Sequence, residues 1–240
     1  MTNSPSNETP VHLPLSEISE KVAETKPTWR GWIHTGILPL VIAGGIVLLV
    51  VADGFVAKVA AAIFFAGSLL LFGTSAIYHR FNWGPKAKLA LKRFDHANIF
   101  LLIAGSYTPV TLLALPQEKG LLLIVAIWIV ALLGIGFRVF WIGAPRWLYV
   151  VIYIAMGWAA VVYLPELLEA NFAMMLLILI GGLLYTLGAV FYAMKRPNPF
   201  PGHFGFHEIF HTFTALAFMC HWSAVLLISL SPIVGSFGRN

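Results

Sequence analysis

A single cysteine, Cys220, in 240 residues leaves no intramolecular disulfide and excludes a thiolate-rich zinc site. Charge is just as scarce. Only 10% of residues are Asp, Glu, Lys or Arg, against about 25% in soluble domains. So little charge cannot clothe a water-facing surface. With 59% apolar residues and a mean hydropathy of +0.86, the bilayer is the expected solvent. The alternating ten-residue segments of a membrane barrel are absent, which excludes that route across a membrane. No basic amphipathic arm or aromatic–basic platform is present either. The net charge of +5 therefore reads as attraction to anionic lipid headgroups, with no nucleic-acid partner. No apolar core follows a basic start in the first 30 residues, so no cleaved signal peptide is expected and the first span serves as its own insertion signal.

What the chain does have is long uncharged runs, at 31–52, 59–79, 96–117, 120–137, 147–165, 170–194 and 209–238. Each reaches the length of a helix that crosses hydrocarbon, about 20 residues. The expected architecture is an all-α integral membrane protein, a seven-transmembrane helix bundle over residues 31–230. A polar tail over 1–30 and a short C-terminal tail over 231–240 flank it. Leu15, Ile18 and Val22 could form one face of a brief interfacial helix in the first tail. Lys and Arg set the orientation. The N-terminal tail and even-numbered loops receive 12 of them, while Lys58, Lys119 and Arg239 are the 3 on the other side. That asymmetry predicts a cytoplasmic N-terminus and an external C-terminus.

Topology then sorts the polar residues by depth. His79 ends the second span, Asp95 opens the third, and His207 and His211 open the seventh, all at the cytoplasmic end. His207 and His211 are four apart and share a helix face, as do Ser75 and His79. Three imidazoles and a water would complete a four-coordinate zinc with one open position. Asp95 would hold that water or orient a histidine. Beside this stands the bland reading. A histidine at a span end is often interfacial with its tip in water, Asp95 could merely complement a helix dipole, and Ser75 could bond its own helix. His207-Glu-Ile-Phe-His211 also fits H-E-x-x-H, the metalloprotease pattern with Glu208 as base. No Asp or Glu follows Glu208 to supply a third ligand, although Asp95 remains available.

The set Ser75-Ala-Ile-Tyr-His79, Phe94-Asp95-His96, Ile103-Ala-Gly-Ser-Tyr-Thr-Pro109 and His207-Glu-Ile-Phe-His211 resembles the hemolysin III family. That family groups with progestin and adiponectin receptors and, more remotely, with alkaline ceramidases. The short tail is similar to its bacterial branch, which implies the plasma (inner) membrane. The resemblance implies zinc bound by His79, His207 and His211, with Asp95 near the zinc-bound water and Ser75 polarising a bound carbonyl. It also implies a role in membrane lipid or energetic homeostasis, with membrane lipids as partners and a small lipid as substrate or ligand. A zinc-dependent lipid amide or ester hydrolase is the leading expectation. A sensor with structural zinc, a pore-forming cytolysin and an intramembrane metalloprotease are the alternatives. A retinal pump is excluded, because the seventh span has no lysine for a Schiff base. His221, ten residues past His211, lies too deep to share the metal. His34 is expected at the interface, His96 in packing, and His203 in a solvated loop. The glycine pairs Gly44-Gly45 and Gly181-Gly182 are expected to allow close helix packing, and Pro109 to kink the third span.

Overall fold

Helices begin where backbone hydrogen bonding can begin, and charge does not decide that. In a computed structural model, which describes residues 27–141 and 143–239, the helices are α1 (Trp32–Val51), α2 (Gly54–Arg80), α3 (Pro85–Ala114), α4 (Gln117–Phe140), α5 (Arg146–Gly157), α6 (Leu164–Ala170), α7 (Phe172–Met194) and α8 (Phe206–Leu230). Among the described residues, seven helices are long and apolar enough to cross a membrane, with α5, α6 and the 3-10 turn Ala159–Tyr163 between them forming the fifth crossing. The chain is an all-α seven-span membrane bundle. The face proposed at Leu15, Ile18 and Val22 lies outside the described residues. Just after it, the amides of Thr28 and Trp29 donate to the carbonyls of Gly202 and His203. The chain entering α1 is thereby tied to the loop ahead of α8.

Two boundaries differ from the charge-based reading. The basic segment before Asp95 is helix, not loop. α3 starts at Pro85, a residue suited to the first helical position, and runs ten residues before it reaches Asp95. Lys86, Lys88 and Lys92 ride on this extension, so Asp95 sits inside a helix instead of opening one. The fifth span, expected as one run over 147–165, is broken. The Tyr107 hydroxyl from α3 donates to the Gly157 carbonyl at 2.9 Å and accepts the Ala160 amide at 2.8 Å. These bonds satisfy backbone groups that an interruption in lipid would otherwise leave costly. Beyond the break, Pro165 lies in the first turn of α6 and Glu166 pairs with Lys119.

Packing follows side-chain size. α3 is the inner helix, with Phe100, Ala104, Leu113 and Ala114 fully enclosed. Gly67 on α2 and Gly105 on α3 let the two backbones meet. A Cβ at Gly67 would lie 2.9 Å from the Leu101 carbonyl oxygen, and one at Gly105 would lie 3.3 Å from that of Ile63. Small residues serve this purpose in membranes, where apolar attraction between helices is weak and contact distance decides. The glycine pairs differ in use. Gly45 accepts the Phe65 ring and Gly44 the Trp222 indole, whereas Gly181 faces His221. α3 remains helical through Pro109, which lies five residues before its end. At the far end of the bundle, Ile233 and Gly238 donate amides to the carbonyls of Leu113 and Leu112, docking the segment after α8 onto the end of α3.

Candidate metal centre

α2 and α8 run so that the end of one meets the start of the other. His79 lies in the last turn of α2, and His207 and His211 occupy the first two turns of α8. One nitrogen from each of the three histidines lies within 4.8 Å of the other two. The Nε2 atoms of His79 and His207 are 3.3 Å apart. Ring centroids are separated by 4.8 Å for His79–His207, 5.1 Å for His79–His211 and 4.6 Å for His207–His211. The three imidazoles could hold one metal ion between them. None of them is an interfacial side chain with its tip in water: His79 and His211 are buried and His207 is largely covered.

Asp95 reaches the cluster from α3, with Oδ2 at 3.7 Å from His79 Nε2. That is ion-pair distance but longer than a hydrogen bond. The carboxylate is placed beside the cluster without being held by it. Ser75, one turn before His79, is buried and lines the same cavity as Asp95 and His211. That cavity measures about 130 Å³. A single water needs only about 10–15 Å³ on such a measure, so there is room for an organic chain. Its walls are mostly aliphatic and aromatic, among them Leu71, Ile103, Val110, Ile178 and Val225. It extends from Asp95 and His211 to His221, ten residues farther along α8, which is about 15 Å of helix.

Both carboxylate oxygens of Glu208 have partners. One carboxylate oxygen accepts the Gly205 amide at 2.9 Å and the other accepts the Arg30 Nε–H. The first bond caps α8, since a helix start carries unpaired amides and a positive dipole end. Glu208 is 1% exposed, turned away from the cavity and fully occupied. The H-E-x-x-H spacing is therefore that of two imidazoles on one face with a capping carboxylate between them.

His34 departs from expectation. It is 2% exposed instead of interfacial. Its ring stacks on His211 with centroids 3.9 Å apart and planes 6° from parallel, and Phe72 packs edge-on against it at 4.9 Å. Neither ring nitrogen has a hydrogen-bond partner among the described residues, so its contacts run through the ring face and edge. Arg30 and His34 are four residues apart at the start of the first span. Their place at the same end of the bundle as the other histidines was the available signal that this span also belongs to the site. His96 packs as expected, with Nδ1 at 2.7 Å from the Lys92 carbonyl oxygen. His203 is exposed and pairs with the Thr28 hydroxyl at 2.9 Å.

Fold and site together define a polytopic membrane protein with a three-histidine cluster, one member of which, His211, lines an apolar cavity. The family model described as haemolysin-III related matches residues 22–222, and the chain belongs to that family. It is 35% identical over 167 residues to the "Hemolysin-3 homolog" of Bacillus subtilis (strain 168), covering 68% of this chain and 75% of that protein. It is 34% identical over 170 residues to "Hemolysin-3" of Bacillus cereus, covering 68% and 73%. A fainter likeness, 25% over 209 residues, links it to the "Adiponectin receptor protein" of Drosophila melanogaster, covering 75% of this chain and 44% of that protein. The spans and the family place it in the plasma membrane.

Proposed function

We propose that this chain is a zinc-dependent hydrolase of lipid amides or esters, acting in membrane lipid homeostasis. The observation that carries the reading is that His211 of the three-histidine cluster, together with Asp95 and Ser75, lines an apolar cavity within the bundle. A purely structural cross-link between α2 and α8 would need no such cavity.

The donor set supports zinc. Three neutral imidazoles without thiolate suit that ion. Two nitrogens bound tetrahedrally at about 2.0–2.1 Å lie roughly 3.3–3.4 Å apart, and the His79–His207 separation is 3.3 Å. When bound, zinc would polarise a carbonyl and acidify water. The protein's own groups supply the rest. Asp95 takes the proton of the attacking water and passes it to the departing nitrogen or oxygen. The Ser75 hydroxyl donates to the carbonyl oxygen as charge develops there. Water adds to the acyl carbon, the C–N or C–O bond breaks, and a fatty acid leaves with an amine or alcohol. The apolar walls hold the acyl chain and the headgroup faces the cytoplasm.

A second reading, a membrane sensor with a structural metal, draws on the way the three histidines bridge α2 and α8. The cytolysin reading has less behind it. The cavity wall is chiefly apolar, where a pore would need a polar stripe through several spans. One experiment separates the first two. Purified wild type with stoichiometric zinc should release fatty acid from a panel of N-acyl and O-acyl lipids. Chelator should stop the release and zinc should restore it. The His207→Ala, His211→Ala double variant should lose both metal and release. Full zinc occupancy with no release across the panel would leave only the structural role.

A further inference from the structure

The far end of the cavity carries polar groups that the proposed chemistry does not use. Most polar side chains on its wall are already committed to backbone. The Ser106 and Thr214 hydroxyls donate to Leu102 and Phe210 carbonyls at 2.8 Å each. Thr186 donates to Gly182 at 2.7 Å and accepts Trp158 Nε1–H at 2.9 Å. Tyr107 holds the break in the fifth span.

His221 and Tyr185 are different. Both line the cavity, and their rings are 5.3 Å apart. The Tyr185 hydroxyl and the His221 Nδ1 are buried without a partner among the described residues. α7 makes room for the imidazole with a glycine: a Cβ at Gly181 would sit 3.1 Å from His221 Nε2. Leaving buried donors or acceptors unpaired costs about 1–3 kcal/mol each. An ionisable side chain at membrane depth is rare unless it serves a site. Phenylalanine at 185 and leucine at 221 would fill the same space without that cost.

We propose that His221 and Tyr185 form a second polar subsite, which takes a hydroxyl or carbonyl oxygen carried part-way along a lipid chain. This rests on the reading of the cavity as a lipid-chain site and specifies the chain it takes. His211 and His221 are separated by ten residues of one helix, about 15 Å. The favoured ligand is therefore bifunctional, with one polar group at the three-histidine end and a second oxygen near mid-chain. Both subsite residues can donate or accept a hydrogen bond, so a hydroxyl or a ketone oxygen fits. A carboxylate at that depth would bring an unpaired charge and is disfavoured.

The test compares oleate with ricinoleate, which adds a single mid-chain hydroxyl, as competitors of a fluorescent fatty acid on purified protein in nanodiscs. Wild type should bind ricinoleate about five- to tenfold more tightly, the worth of one buried hydrogen bond. Tyr185→Phe and His221→Leu should each bring the ratio near one while oleate affinity stays. Retained oleate binding also reports that the variants are folded. Equal affinities in wild type, or a preference that survives both substitutions, overturns the subsite while leaving the cavity reading intact. If neither acid displaces the probe, the subsite and the lipid-chain cavity fall together. A preference for ricinoleate without any lipid turnover supports the subsite and removes only the hydrolase.

Discussion

Replacing Asp95 by Ala separates chemistry from metal holding, and the geometry sets how large each effect should be. Its carboxylate stands 3.7 Å from His79 Nε2. A carboxylate that hydrogen-bonds a ligand histidine supports metal affinity by about 10- to 100-fold. At 3.7 Å that bond is not made, so zinc affinity should fall less than about tenfold. Proton transfer is another matter. A positioned general base contributes about 10²- to 10⁴-fold, and every other carboxylate near the cluster is spoken for, since Glu208 is engaged by Arg30 and the Gly205 amide. Asp95→Ala protein should therefore keep close to one zinc per chain by elemental analysis. Its fatty-acid release under saturating lipid should drop by at least about 10²-fold. Asn at this position keeps the volume and should fare no better. Refutation would come from parallel loss of zinc and release, which would make Asp95 a metal holder, or from release that survives in the zinc-loaded variant.

Four further outcomes follow from contacts already described. His34→Ala removes the ring stacked at 3.9 Å on His211 and should weaken zinc binding by roughly two- to tenfold, the worth of an aromatic stacking contact, while His34→Phe restores the stack and should restore affinity. A Phe variant as weak as Ala would show that the nitrogens matter instead. Glu208→Ala removes the partner of Arg30 and the cap on Gly205, and should lower stability in detergent unfolding by about 2–4 kcal/mol. With both oxygens of Glu208 bonded to Arg30 and the Gly205 amide, the zinc-loaded Glu208→Gln protein should retain most of its turnover; loss of turnover with metal in place would return Glu208 to the chemistry. Gly45→Ala puts a Cβ 2.0 Å from the Phe65 ring, so the thermal midpoint should fall by an amount equivalent to about 1–3 kcal/mol, and an unchanged midpoint would mean that α1 and α2 part readily.

The sequence by itself determined the solvent, the number of spans and the end of the bundle where the chemistry gathers. Those depend on one-dimensional facts: the length of uncharged runs, the placement of Lys and Arg, and the four-residue spacing of His207 with His211 and of Ser75 with His79. Helix geometry converts such spacing into a shared face without any knowledge of neighbours. What only the tertiary structure decided is whatever depends on rotation about helix axes and on contact between spans distant in sequence. His34 looked interfacial because depth alone was legible, and its burial follows from α1 turning that face toward α8. Glu208 fitted either a base or a favourable charge at a helix start, and only its bonds to Arg30, 178 residues earlier, and to the Gly205 amide weigh for the second. The break in the fifth span is met by the hydroxyl of Tyr107 on another helix, a side chain that also lines the cavity. A periodic pattern says which residues face inward, but packing of side chains across helices decides what they meet.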